Sequence, residues 1–398
     1  MTVAESMPWL SRDQTMILLG QAMTPGMPTY STPVIFHIGG RLDPQRFQRA
    51  FRTALGRAPI LQHRFRLPEG LREDVCDEIA SDIIVGGQST MPMGGIMAKR
   101  PVVDPAERSW HSAIEIDSEQ ARWLIDFHQI VADQWSVRAF FEEVSALYAS
   151  PAAPARISGA TLSQLRDDPA DESRDRAYWQ RWLEREFVPG QVGRITGASR
   201  SRTYSLAVTG ERSAVLLRMI AARPDLPVPV ARLATWLSVL AQWHREALPT
   251  LAWLSVAVSW HNRTPSDAHV IGPFMRVTPL QIPLRGSWRE ARGRIDRGLM
   301  LGLAHRHHTI ANPPHRPTYD CLVNLAAEPD PTSFAGIPAR MEFGSSGTIY
   351  GRLSIQIRST TDGFFLTISQ GRDDPLPRLD DRLLDTSLRA LDAEVRDE

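Results

Sequence analysis

Lysine is almost missing from this chain of 398 residues: of its 45 lysines and arginines, only Lys99 is a lysine. Schiff-base or amine-nucleophile chemistry therefore has one candidate. Cysteine is nearly as scarce. Cys76 and Cys321, far apart in sequence, make neither a disulfide framework nor a four-ligand zinc site. Net charge is lacking too, because 45 acidic residues balance the 45 basic ones. Phosphate backbones and anionic membranes demand a basic excess, so nucleic acid and membrane surfaces are not expected partners. No stretch approaches the ~18 apolar residues of a membrane span. The start of the chain has neither the basic opening nor the apolar core of a signal peptide. A soluble, cytoplasmic protein is expected. What is present suits packed domains, with 42% hydrophobic and 8% aromatic residues supplying ordinary cores.

At about 150 residues per domain the length suggests two or three domains. Residues 150–173 are rich in Pro, Ala, Ser, Asp and Arg and read as a linker. The expected division is an N-terminal lobe at 1–165 and a C-terminal lobe at 166–398, each mixing helices and strands as an α/β protein does. Asp43-Pro44 opens a helix along which Phe47, Phe51 and Leu55 recur at helical spacing. Strands are expected at 60–67, 112–117 and 123–128, then a helix over 135–148 with a one-sided apolar stripe. In the second half, 174–183, 213–222 and 233–248 read as helices. Residues 251–259 read as a covered central strand, Ser287 and Glu290 as a capping box, and 319–325, 353–358 and 364–369 as late strands.

The stretch carrying chemistry is Phe127-His-Gln-Ile-Val-Ala-Asp-Gln-Trp-Ser136: a histidine closing an apolar strand, an aspartate five residues on, then a helix. It resembles the His-His-x-x-x-Asp-Gly signature, often continued by Trp-Ser, of nonribosomal peptide synthetase condensation domains, within the chloramphenicol acetyltransferase-like superfamily. Other blocks stand in that family's order. Leu10-Ser-Arg-Asp-Gln14 is similar to its opening Leu-Ser-x-x-Gln. Arg57 to Phe65 is similar to Arg-His-Glu-x-Leu-Arg-Thr-x-Phe, keeping Arg57, Leu61 and Phe65 but not the residues at Ala58, Pro59 and Gln62. Tyr178-Trp-Gln-Arg-Trp-Leu183, Asn262-Arg263, Ile271-Gly-Pro-Phe274 and Tyr319 to Asn324 follow.

The resemblance implies two acetyltransferase-like α/β lobes in a V, with a tunnel between them. It also implies acyl transfer from a carrier-protein phosphopantetheine thioester to an amine or hydroxyl acceptor. His128, Gln129 and Asp133 fall on the catalytic positions, and Gln134, Trp135 and Ser136 on substrate-binding ones. Asp133 is expected to pair with Arg263, and no metal or bound cofactor is implied. With no recognisable adenylation or carrier region, the protein is expected to be free-standing and to meet a peptidyl or acyl carrier protein in trans, together with a small-molecule acceptor.

The departures fall on the chemistry. Gln129 stands where the second histidine would be, and an amide does not titrate near neutrality, although it can orient an N–H or donate to an oxyanion. Gln134 replaces a glycine and fills room beside the site. A rival expectation is a non-catalytic condensation-like module that binds carrier protein or recruits a tailoring enzyme. A weaker one is an atypical acyltransferase or cyclisation catalyst on a non-peptide substrate. Elsewhere the sequence invites less. His305, His307 and His308 read as a solvated helix end without a carboxylate beside them, Cys321 as a core residue, and Trp179, Trp182, Trp236 and Trp243 as helix packing.

Overall fold

The computed structural model describes residues 10–67, 70–72, 82–85, 95–98, 100–188, 198–308, 310, 318–326 and 332–396. Cys76 and Lys99 lie outside the described residues. The chain forms two compact units. One comprises Met1–Asp167, Asn262–Met275 and Asp330–Ser346; the other comprises Asp168–His261, Arg276–Pro329 and Gly347–Glu398. The chain changes unit beside the expected boundary, but two later segments return to the first unit.

The first unit is built on a six-stranded sheet. Its order is Ser333–Phe334, Ile337–Phe343, Ser31–Ile38, Ala121–His128, Trp110–Ile116 and Asp82–Val85. Alternation explains how its central strand is used. Trp123, Ile125 and Phe127 enter the main core, while Leu124 joins a smaller cluster with Ile35, Ile96 and Ala113. Helices Pro44–Gly56 and Gln134–Ala149 supply Phe47, Phe51, Phe140 and Phe141 to the same core. Trp123 meets Phe47 edge-on at 5.0 Å and lies nearly parallel to Phe141 at 5.9 Å. Such pairs contribute roughly 0.5–1.5 kcal/mol each beyond their buried area.

Two expectations differ from what forms. Residues 60–67 are not one strand. Pro59 opens a 3-10 turn over Pro59–Gln62 that buries Ile60 and Leu61, and only Arg64–Arg66 is extended. Residues 150–173 are not a linker either. Ser158–Gly159 pairs in parallel with Val270–Ile271, Thr161 caps a turn at Leu162–Leu165, and Asp168-Pro169 starts a helix running to Arg185. A capping aspartate with proline at the first helical position is itself a start signal, which the polar composition hides.

The second unit carries a seven-stranded sheet. Its order is Met275–Pro283, Trp253–His261, Cys321–Ala326, Leu353–Thr360, Gly363–Gly371, Ala198–Thr209 and Thr348–Tyr350. Helices Gly210–Ala221, Val228–Ala247, Trp288–Ala304 and Asp381–Arg396 accompany it, and Cys321, Trp236 and Trp243 lie in its core. The histidines after Ala304 do have carboxylates beside them. Asp175, from helix Pro169–Arg185, accepts from His305 Nδ1 at 3.0 Å and from the His307 backbone N–H at 3.0 Å. Sequence spacing could not show this, because the acid arrives from a helix 130 residues away.

Candidate active site

Strand Ala121–His128 ends at the signature, and the chain turns into helix Gln134–Ala149. Two backbone hydrogen bonds shape the turn: Gln129 N–H to Tyr30 O at 2.8 Å and Val131 N–H to His128 O at 3.0 Å. Asp133 then caps the helix, its Oδ1 accepting from Ser136 N–H at 2.9 Å. The opening block of the sequence braces the same turn. Ser11 and Gln14 close a capping box, and Gln14 Nε2 reaches across to donate to Ile130 O at 3.0 Å.

Arg263 completes the brace from the returning segment Asn262–Met275. Its Nη2 donates to Asp133 Oδ1 at 2.7 Å, to Ser136 Oγ at 2.8 Å and to Gly272 O at 3.2 Å. Its Nη1 donates to Val270 O at 2.6 Å and Asp267 O at 2.8 Å. The second oxygen of Asp133 accepts from Phe274 N–H at 3.2 Å. Both partners are nearly sealed, with side-chain exposures of 2% and 7%. A buried pair is maintained only when its remaining donors and acceptors are satisfied, and here the backbone of 267–274 does most of that. Gly272 is required for the approach, because a Cβ there would sit 2.6 Å from that of Ala160.

The other signature residues divide in two. His128 is 1% exposed. Its Nδ1 accepts from Ile130 N–H at 3.2 Å and its Nε2–H faces Gln21 Oε1 at 3.4 Å, so both ring nitrogens are occupied. Burial drives its pKa down to about 3, leaving a neutral imidazole. Ser136 is fully buried, enclosed by Asp133, Arg263 and Gly272. Trp135 Nε1 donates to Ala268 O at 2.7 Å. His128 and Ser136 are thus sealed into the loop, and Trp135, half-buried, is tied to it through its indole N–H. Gln129 and Gln134 are half-buried as well. Among the described residues the Gln129 amide makes one long contact, Nε2 to Thr32 Oγ1 at 3.5 Å, so its carbonyl and amino group remain competent to orient another molecule.

One buried group escaped sequence reasoning. Asp126 shares a strand face with His128 and is fully buried, ion-paired with Arg100 and accepting from Ser31 Oγ at 2.7 Å. Burial raises its pKa, and the Arg100 guanidinium and Ser31 hydroxyl pull it back. An aspartate within an apolar strand was the signal; its partners lie 26 and 95 residues away. Among the described residues no cluster of three or more His, Cys, Asp or Glu can hold a metal ion, and no helix is long and apolar enough to cross a membrane.

The depressed His128 pKa makes a stability prediction. A histidine neutral in the fold, but titrating near 6.5 when unfolded, contributes stability above pH 6.5 that is lost as pH falls towards 3. Over the whole window this amounts to on the order of 5 kcal/mol. Asparagine keeps an acceptor for Ile130 N–H and cannot titrate. Urea unfolding of His128→Asn should show a shallower loss of stability than the parent between pH 6.5 and 4; parallel curves would contradict the buried neutral imidazole.

The strand, the turn, the capped helix and the arginine brace stand in a fold that other proteins share. The structure matches the starter condensation domain of rhizomide synthetase, solved with C8-CoA and Leu-SNAC, at a TM-score of 0.76 with 18% identity, over 99% of this chain and 95% of that one. It matches the first condensation domain of the calcium-dependent antibiotic synthetase, solved with a substrate analogue, at 0.78 with 21% identity, over 98% and 96%. The fold is that of a condensation domain. In sequence the chain is 26% identical over 329 residues, 73% of its length, to the isonitrile lipopeptide synthase of Streptomyces coeruleorubidus. It is 23% identical over 296 residues, 71% of its length, to a nonribosomal peptide synthetase of Aspergillus carbonarius. The chain is thus a homologue of condensation domains in nonribosomal peptide synthetases. It spans only 21% and 15% of the lengths of those two relatives. No protein-family model matches it.

Proposed function

We propose that this protein transfers an acyl group from the phosphopantetheine thioester of a carrier protein to the amine or hydroxyl of a second substrate, with Gln129 in the position of the usual base. The observation that carries this reading is the contrast within one turn. His128, Asp133, Ser136 and Arg263 are locked into the protein, while Gln129 and Gln134 are held at its half-buried edge. An intact brace around an altered contact residue is what a working site with changed chemistry retains.

Glutamine can assist without accepting a proton. A thioester is already activated, and holding reactants in register lowers the barrier by roughly 7–11 kcal/mol relative to free encounter. A general base adds about 10²–10⁴ in rate. For an amine acceptor the base is dispensable, since an α-amino group with a pKa of about 7.7–8.0 is half deprotonated at that pH. In this reading the Gln129 carbonyl orients the amine N–H and the reaction runs on the free-amine fraction. Turnover of an acyl-pantetheine thioester with an amine should then rise with pH up to about 8, following the acceptor. Gln129→Ala should lose about tenfold of it, one orienting hydrogen bond. Absence of turnover with amine and hydroxyl acceptors alike would overturn the proposal.

A second reading is favoured by the same substitution. The titratable groups nearest in sequence are spoken for, His128 by burial and Asp126 by Arg100. A non-catalytic module that holds a carrier-bound intermediate, or brings a tailoring enzyme to it, would need the brace and not the base. Carrier-protein binding without turnover, unchanged by Gln129→Ala, selects that reading.

A further inference from the structure

Strand Ser31–Ile38 runs past the end of one of its neighbours. Its pairing with Ile337–Phe343 begins at Val34, whereas its pairing with Ala121–His128 extends to Ser31, opposite His128. Pro33 has no N–H to offer on the open side, where its carbonyl accepts from Gly344 N–H at 2.9 Å. Yet this end of the strand holds Gln129. Tyr30 O accepts from the Gln129 backbone N–H at 2.8 Å, and Thr32 Oγ1 lies 3.5 Å from its Nε2. Ser31 stands between the two holds. Its Oγ lies 2.7 Å from both carboxylate oxygens of Asp126 and accepts from Arg100 Nη1 at 3.1 Å.

A short segment braces the strand end from the sheet face. Ile96 packs there with Ile35, Ala113 and Leu124, and Met97 lies over Gly344, where an added Cβ would come within 2.7 Å of its Cε. Arg100 follows, its backbone N–H donating to Met97 O at 3.3 Å. Its guanidinium pairs with Asp126, and its Nη2 donates to Ser346 O at 3.4 Å. Arg100 thus ties Ser31, strand Ala121–His128 and segment Asp330–Ser346 together at one point. The pair is sealed, with side-chain exposures of 7% for Arg100 and 0% for Asp126. Such a pair contributes little net stability over apolar packing of similar volume, so its use here lies in the geometry it sets.

We propose that Arg100, Asp126 and Ser31 form a positioning clamp for Gln129. The clamp fixes residues 30–32, and these hold both the backbone and the amide of Gln129. A carbonyl that orients an N–H must itself be held in direction, because hydrogen bonds weaken steeply away from the line of the bond. Glutamine needs this more than histidine does, having three side-chain torsions where histidine has two. The effect of the clamp on turnover rests on the acyl-transfer reading; its hold on Gln129 does not.

Ser31→Ala tests the clamp, because it removes a hydroxyl and leaves the Arg100–Asp126 pair in place. In the parent it should lower kcat about tenfold, with KM changed by less than about twofold. Made in the Gln129→Ala protein it should change neither, since no amide remains to be oriented. Thr32→Val, which removes the contact with Nε2, should behave alike. Hydrogen exchange of backbone N–H groups, followed by NMR on protein labelled with ¹⁵N-glutamine, gives a measure free of turnover. Ser31→Ala should speed exchange at Gln129 about tenfold and leave Gln370, in the second unit, unchanged. Equal losses of kcat in both backgrounds, an unaltered kcat, or unaltered exchange at Gln129 overturns the proposal. If the parent turns over no thioester, the acyl-transfer reading fails, and exchange at Gln129 alone decides the clamp.

Discussion

Replacing Gln129 by histidine and Gln134 by glycine together should raise the rate of the proposed acyl transfer by about 10²–10⁴, the usual contribution of a general base. The two positions must change together, because Gln134 occupies space that the related signature leaves to glycine. Burial decides whether the new histidine would work. At position 128 the imidazole is sealed and its pKa falls to about 3, which removes it from proton transfer at neutral pH. Position 129 is only half-buried, so an imidazole there keeps its charged form hydrated and titrates near its ordinary value. Transfer by the Gln129→His/Gln134→Gly protein should therefore increase with pH through about 6.5. An unaltered rate, in a variant that melts like the parent, would show that position 129 does not face the reacting groups.

Removing the carboxylate of Asp133 should have the largest effect on stability. Asp133→Ala leaves the Arg263 guanidinium, 2% exposed, without its counter-charge. Stranding one member of a buried pair costs about 3–5 kcal/mol, and loss of the helix cap about 1 kcal/mol. The two losses share one carboxylate and overlap. The melting temperature should fall by on the order of 10 °C for a unit of this size. Asp133→Asn loses the charge but keeps one acceptor oxygen, enough to cap Ser136 N–H, so its loss should be smaller than that of Asp133→Ala by about the cap contribution. Equal stability of Asp133→Ala and the parent would mean that Arg263 finds sufficient partners in the carbonyls of 267–272.

The strand, turn and helix around His128 were legible because several local signals coincide there: alternation along 123–128, a capping aspartate and a one-sided stripe in the helix. Arg263 as partner of Asp133 came from the resemblance, since nothing in local spacing connects residues 130 positions apart. Arg100 and Ser31 stayed hidden for the same reason. Period-two alternation says that Asp126 is buried, not what neutralises it. Composition misled at 150–173, where a few buried residues such as Ile157 and Leu165 and two caps order a mostly polar segment. Gln134, half-buried at the first position of the helix, was readable as a departure only against the related signature.

The segments Asn262–Met275 and Asp330–Ser346 give the first unit a distinctive history during synthesis. Asp133 lacks its counter-ion until about half of the second unit has been made, and the sheet lacks the strand Ile337–Phe343 until about three-quarters of it has. At roughly 5–20 residues per second the amino-terminal portion waits many seconds for its missing pieces. A fragment ending near Asp167 would expose the long edge of Ser31–Ile38, an invitation to aberrant strand pairing. Nascent chains of this architecture thus depend on sustained protection while they emerge, and swapping whole units between relatives requires carrying the two returning segments along.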